Sequence, residues 1–214
     1  MVRLFYLDND VVVCTKPAGV LSESGGMPEL LNSQIGWGET RCVHRLDMAV
    51  GGVMVYARSK EAAAKLSSSL AGHELGKRYL AVVQGRPERD EDTLKDLLYH
   101  DSTTNKTYVV KRQRRGVKEA ELRYRRLQTQ SATEGEISLL RVELVTGRSH
   151  QIRVQFASRK LPLVGDSRYG SSYRSSGIAL WCEQLSFPHP KSGEMMTFTC
   201  PPPDEWPWKL FSVK

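Results

Sequence analysis

Arg41-Cys42-Val43-His44-Arg45-Leu46-Asp47-Met48 runs directly into Ala49-Val50-Gly51-Gly52 and the apolar stretch Val53-Met54-Val55-Tyr56-Ala57. It sets a single carboxylate, Asp47, two residues after Arg45, just before a glycine pair and a strand-like run. The chain carries 31 Lys and Arg against 24 Asp and Glu, a net charge of +7. A carboxylate beside an arginine in such a chain points to acid/base or nucleophilic work on an anionic polymer, nucleic acid first. Taken alone, His44-Arg45-Leu46-Asp47 reads as structural, with Asp47 capping a turn or pairing with a surface arginine. Its company further along decides otherwise.

At 214 residues, 40% hydrophobic and 26% charged, the chain can bury a sizeable core and has the composition of an ordinary globule. No apolar run approaches the ~20 residues of a membrane-spanning helix. The N-terminal segment lacks the apolar core of a secretory signal, so the cytoplasm is the default compartment and no membrane partner is expected. Cys14, Cys42, Cys182 and Cys200 are widely spaced and read as reduced, mostly buried thiols. No His/Cys cluster has metal-ligand spacing, so no metal is expected.

Val11-Val12-Val13 leading into Lys16-Pro17-Ala18-Gly19 predicts a strand entering a turn, and residues 22–40 predict an irregular loop. Ser59 is a candidate N-cap, with Ala62, Leu66 and Leu70 at four-residue spacing and Gly72 as the stop. Lys77 to Gly85 reads as a strand. Residues 86–105 are acidic and read as irregular, whereas 106–126 are strongly basic and read as a solvated, flexible hairpin face. Leu140, Val142 and Leu144 alternate with Arg141 and Glu143, a half-buried strand. Residues 151–156 also alternate, so periodicity by itself favours a strand there. Ile178–Cys182 and Met196–Thr199 resemble the last strands, and Trp206 and Trp208 read as packing residues. One mixed domain over residues 1–214, rich in strands, is the economical reading.

Four blocks stand in one order: Lys16-Pro17-Ala18-Gly19, His44-Arg45-Leu46-Asp47, Lys77-Arg78-Tyr79, and Thr146-Gly147-Arg148-Ser149-His150-Gln151-Ile152-Arg153. Val164-Gly165-Asp166 and Tyr169-Gly170 follow. In this order and spacing the chain resembles the RluA-like branch of the RNA pseudouridine synthases, over nearly its whole length. The resemblance implies an α+β fold, with a mixed, largely antiparallel sheet, flanking helices and a central active-site cleft. It also implies isomerisation of uridine in a structured ribosomal or transfer RNA, without cofactor. By position, Asp47 matches the essential aspartate and Arg45 the arginine that fills the place of the departed base. Tyr79 matches the tyrosine that lies against the target base, and Arg148 the basic partner of the aspartate. His150, Gln151 and Arg153 belong to the same RNA-facing block, which the family resemblance makes the start of a helix; that reading is preferred over the strand. His44 is grouped with the base-binding residues, although a packed, hydrogen-bonding role suits it better than catalysis. Arg112, Arg114 and Arg115 are candidate phosphate contacts.

The chemistry explains the residue types. Pseudouridine forms when the N1–C1′ bond breaks, the uracil turns, and C5 joins C1′. No electrons or phosphoryl groups move, so the absence of a glycine-rich phosphate loop is consistent. One ionised carboxylate can serve as nucleophile or base, and an apposed guanidinium favours its charged form. The chain departs from the family at Val50-Gly51-Gly52, where Thr-Ser-Gly is usual, at Gln155, where histidine is usual, and around Arg159-Lys160, where a glycine is common. It starts directly with the catalytic part, so the RNA-binding module that precedes it in many relatives is expected to be missing. A catalytically inactive RNA-binding module of the same fold is the main alternative. A hydrolytic glycosidase or nuclease fits less well, because a second carboxylate or a metal would be required.

Overall fold

The structure is a computed structural model that describes residues 1–212. Its eleven strands and three α-helices form two compact units, Met1–Arg78 with Trp181–Pro202, and Tyr79–Leu180 with Pro203–Lys214.

The first unit is built on β4 (Gly51–Ala57), every residue of which is buried. Such a strand cannot show a polar face and must be covered on both sides. It pairs antiparallel with β2 (Val11–Lys16) and with β3 (Arg41–Cys42), and parallel with β10 (Leu180–Pro188). β1 (Leu4–Leu7) continues from β2, and β11 (Met195–Thr199) pairs antiparallel with β10. The Gly51-Gly52 pair makes the β10 contact possible. A Cβ on Gly51 would lie 2.3 Å from the Trp181 ring, and one on Gly52 would lie 2.4 Å from the Cys182 carbonyl oxygen. Gly52 also has φ +133, a conformation that residues with side chains avoid. The departure from the family's usual Thr-Ser-Gly is thus a packing device at the start of a central strand.

Two helices complete this unit. α2 (Lys60–Ala71) starts as its sequence predicts, with the Ser59 hydroxyl accepting from the Ala62 N–H at 3.0 Å, and stops at Gly72. Ala62 and Leu66 are buried, whereas Leu70 in the last turn is 37% exposed. α1 (Met27–Ile35) replaces part of the loop expected over residues 22–40. Pro28 sits in its first turn, Glu29 accepts from the Gly26 N–H at 3.0 Å, and Met27 and Leu31 bury one face. Gly36 ends it in the left-handed conformation.

In the second unit, β9 (Gly135–Leu144), β8 (Val117–Ala132), β6 (Glu91–Asp101) and β7 (Lys106–Val110) form an antiparallel ribbon in that order, with β5 (Gly76–Gln84) beside β9. The acidic segment 86–105, expected to be irregular, is largely β6. Opposite charges meet across β6 and β8: Glu91 lies opposite Arg125 with N···O 3.0 Å, and Lys95 lies opposite Glu121, also at 3.0 Å. The reversal of charge along the sequence is therefore cross-strand complementarity. Leu94 and Leu98 turn inward. Residues 111–116 form the exposed connection between β7 and β8.

Residues 151–157 are helical, in line with the family resemblance and against the periodicity: α3 spans Gln151–Ala157. Six of its seven residues are buried, which is why the polar/apolar alternation carried no information. Phe156 packs edge-on to Tyr124 with ring centroids 5.4 Å apart, and Val154 joins Leu98 and Ala120 in the core. Trp206 packs at 5.7 Å from Tyr173, and Trp208 is buried, as packing residues. An α+β fold with a mixed, largely antiparallel sheet follows. None of the helices among the described residues is long and apolar enough to cross a membrane. Phe156→Ala, which empties the space between α3 and β8, is expected to cost about 3–5 kcal/mol of stability in urea unfolding.

Candidate active site

Asp47 lies in the first unit, on the loop between β3 and β4, and is half-buried. The loop is fixed by backbone hydrogen bonds on both sides of the aspartate. Ser22, 3% exposed, accepts from the Leu46 N–H at 3.0 Å and donates to the Leu46 carbonyl at 2.8 Å. The Gly19 N–H donates to the Met48 carbonyl at 2.8 Å, and the Val50 N–H to the Asp47 carbonyl at 2.9 Å. Beneath them sits Lys16, fully buried, whose ammonium donates to the carbonyls of Pro17 at 3.0 Å, Met48 at 3.1 Å and Val50 at 2.7 Å. Three acceptors match three N–H donors, an arrangement only the charged form completes. Burial pulls the Lys16 pKa down to about 8, while the Asp47 carboxylate pulls it up. The three carbonyl bonds act in the same upward direction.

Arg45 projects into solvent, 66% exposed, with its guanidinium 3.0 Å from Glu23. His44, grouped by the resemblance with the base-binding residues, takes the packed, hydrogen-bonding role that the sequence reading preferred for it. It is 4% exposed, and its Nε2 accepts from the Val55 N–H at 3.2 Å, which places its proton on Nδ1. Burial, and secondarily Lys77, holds it well below the usual histidine range, so it is a neutral strut for β4.

Tyr79 and Arg148 belong to the second unit. Tyr79, near the start of β5, is 5% exposed. Arg148 is exposed on the loop between β9 and α3, and its Nε donates to the Glu119 carbonyl at 2.9 Å. The organiser of that loop is Gln151, 2% exposed. Its carbonyl oxygen accepts from the Arg148 N–H and the Thr146 hydroxyl, both at 2.9 Å, and its amide donates to the Glu121 carbonyl at 3.0 Å. Arg153, 5% exposed, forms a two-point pair with Asp166 at 2.7 and 2.9 Å. Gln151 and Arg153, assigned from the resemblance to the RNA face, are thus corrected to interior scaffolding. Gln151 serves the loop that carries Arg148, and Arg153 ties α3 to the Asp166 turn. His150 is half-buried in the left-handed conformation (φ 53), with its Nδ1 2.9 Å from the Tyr169 hydroxyl. That hydroxyl also accepts from the Thr107 N–H at 2.8 Å.

Arg112, Arg114 and Arg115 are exposed in the β7–β8 connection, as phosphate contacts require. Arg114 lies 4.9 Å from the Tyr99 ring centroid. Sequence reading overlooked Ser22 and the ammonium role of Lys16. The apolar run ahead of Lys16 was the available signal, since a lysine closing a buried strand must point its charge at something.

Among the described residues, Asp8, Asp10 and His189 form one group with metal-ligand geometry. Its Asp8 and His189 atoms are committed to hydrogen bonds. Asp8 accepts from the Asp10 and Val11 N–H groups, and its second oxygen lies 2.9 Å from Nε2 of His189. The histidine's Nδ1 accepts from the backbone of Lys191 and Ser192, which leaves the proton on Nε2 and makes the group a turn clamp.

A family described as RNA pseudouridylate synthase matches residues 10–158. The dual-specificity RNA pseudouridine synthase RluA of Haemophilus influenzae is 33% identical over 207 residues, covering 91% of this chain and 90% of that protein. RluA of Escherichia coli (strain K12) is 32% identical, covering 92% of each. Among solved structures, human RNA Pseudouridylate Synthase Domain Containing 1 superposes with a TM-score of 0.81 at 22% identity, over 95% of this chain and 84% of that one. Human RNA Pseudouridylate Synthase Domain Containing 4 gives 0.76 at 22%, over 94% and 88%. With its aspartate loop and its Gln151-organised arginine loop matched in this way, the chain belongs to the RNA pseudouridylate synthase family.

Proposed function

We propose that this chain isomerises uridine to pseudouridine in a structured ribosomal or transfer RNA, with Asp47 as the catalytic carboxylate. The observation that carries this reading is the loop of Asp47. It is held from below by a buried ammonium and from the side by Ser22, while the aspartate itself stays half-exposed. Rigid placement of one charged group is what a reaction with a single carboxylate needs. The carboxylate works on the sugar or base as the N1–C1′ bond breaks, and is regenerated when C5 bonds to C1′ and the C5 proton leaves. Arg148 is its charge partner, Tyr79 lies against the base and handles the C5 proton, and Arg45 fills the space of the extruded uridine. The match to relatives over 91–92% of the chain supports treating residues 1–214 as one catalytic domain. The cytoplasm, where such RNA is found, is the proposed compartment.

Asp47→Asn is expected to lower tritium release from C5-labelled uridine in bulk RNA by at least about 10²–10⁴-fold, with RNA affinity near that of the wild type. Retained turnover would remove Asp47 from the reaction. Replacing Arg112, Arg114 and Arg115 together by Gln is expected to weaken RNA binding and to reduce the slope of log affinity against log salt by about 2–3. An unchanged slope would make this segment a solvated surface only.

Lys16 makes a pH prediction with a definite sign. Above about 8 the folded chain loses the Lys16 proton, and with it one donor to the Asp47 loop, so the rate is expected to fall as pH rises through that value. Between about 8 and the ordinary lysine value of 10.5, the unfolded chain binds a proton that the folded one does not. The Lys16 contribution to stability therefore rises with pH over the window in which activity drops. A pH–rate profile with parallel thermal unfolding separates the two, and a rate that stays level across that window would contradict the assignment.

A further inference from the structure

Between α1 and β3 the chain makes a five-residue loop, Gly36-Trp37-Gly38-Glu39-Thr40. Both of its ends are tied to one residue. The Gly36 N–H donates to the Asn32 carbonyl at 3.0 Å, and the Thr40 N–H donates to the Asn32 side-chain oxygen at 2.9 Å. Gly36 and Gly38 are both left-handed, with φ +77 and +73, and they turn Trp37 outward to 52% exposure. Single exposed apolar residues are common; what sets Trp37 apart is the clamped loop that presents it and the residue packed behind its ring.

Beneath the indole lies Arg58, the residue that follows β4. Its guanidinium carbon sits 3.7 Å from the Trp37 ring centroid, and its Nη2 donates to the Trp37 carbonyl at 2.8 Å. Arg58 is only 8% exposed, and its Nε and Nη1 have no hydrogen-bond partner among the described residues. A Cβ on Gly38 would come within 2.8 Å of Nη2, so the loop's second glycine makes room for the stack. Two buried guanidinium donors without acceptors are costly, and so is an exposed indole. Stability alone does not account for pairing them. What the pair does provide is a flat aromatic surface, braced from behind by a cation and open to solvent on its other face.

We propose that Trp37 is a stacking platform for an unpaired base of the substrate RNA. This rests on the RNA-modifying reading above and extends it to a nucleotide away from the target uridine. Asp47 and Arg58 lie at opposite ends of the seven-residue β4, which spans on the order of 20 Å. Trp37 therefore engages a base several nucleotides removed from the reacting one. Stacking on an aromatic ring tolerates any base and contributes about 1–3 kcal/mol. A clamped loop lowers the ordering cost that a mobile one would add. The excess of basic residues on the chain favours RNA over a protein as the occupant.

The test uses the full-length chain with Trp37→Ala and Trp37→Phe, two probes and two readouts. With bulk RNA carrying C5-tritiated uridine, Trp37→Ala is expected to raise KM about tenfold with kcat unchanged, and Trp37→Phe, which keeps a ring, to restore most of the loss. With a short oligo(rA), binding is expected to quench tryptophan emission in the wild type and to lose most of that quench in Trp37→Ala, since Trp181 and Trp208 are buried and Trp206 is half-buried against Tyr173. Wild-type KM and oligo(rA) affinity in Trp37→Ala would overturn the platform while leaving pseudouridine formation standing, and would point to a protein as the occupant. If the wild type released no tritium yet oligo(rA) quenched Trp37, the isomerase reading would fail and the platform would survive.

Discussion

A lysine ammonium enclosed by protein must be met by oxygen atoms, and in this chain the oxygens it meets belong to the backbone around Asp47. Lys16 ends the apolar strand β2, is fully buried, and bonds to the carbonyls of Met48 and Val50 in the turn that follows the aspartate. The turn cannot relax without leaving a cation uncompensated in the interior. Strand β4 begins immediately after, and its Gly51-Gly52 start admits β10 at backbone distance. One buried charge thus links the placement of the carboxylate to the assembly of the unit's sheet.

The second unit achieves similar rigidity with a neutral side chain. Gln151 ties Thr146, Arg148 and Glu121 together, and Arg153 with Asp166 anchors the helix that follows. These interior groups hold an exposed arginine, much as Lys16 holds a half-exposed aspartate. In both units the residues that contact solvent are few, and those that fix them lie underneath. Mutational loss at Gln151 or Arg153 would consequently look like loss of a functional residue while acting through position.

Much of this was legible in the sequence. The α+β class, the α2 caps at Ser59 and Gly72, the strands around 11–13, 77–85 and 140–144, and the helical start of the Gln151 block all match the structure. What the sequence hid has physical reasons. α1 is short and sits among glycines and serines, so its Met27/Leu31 face gave too few periods to register. β6 looked irregular because its pairing partner β8 lies some thirty residues away, and a local window cannot see that pairing. The direction in which Gln151 and Arg153 face was equally hidden. Motif spacing locates a residue along the chain, but whether a polar group points outward or supports a neighbour is decided by packing.

The matched charges of β6 and β8 also bear on how the ribbon finds its alignment. Exposed pairs such as Glu91–Arg125 add little to net stability. They do discriminate between alignments. Sliding β8 by two residues in one direction would set Lys95 against Arg123, two like charges. The opposite slide would give Leu94 the small Ala120 as its neighbour in place of Leu122, and Leu98 would face Gly116. Charge rejects one error and side-chain volume the other, so the β6–β8 pairing carries its own check against misalignment as it forms.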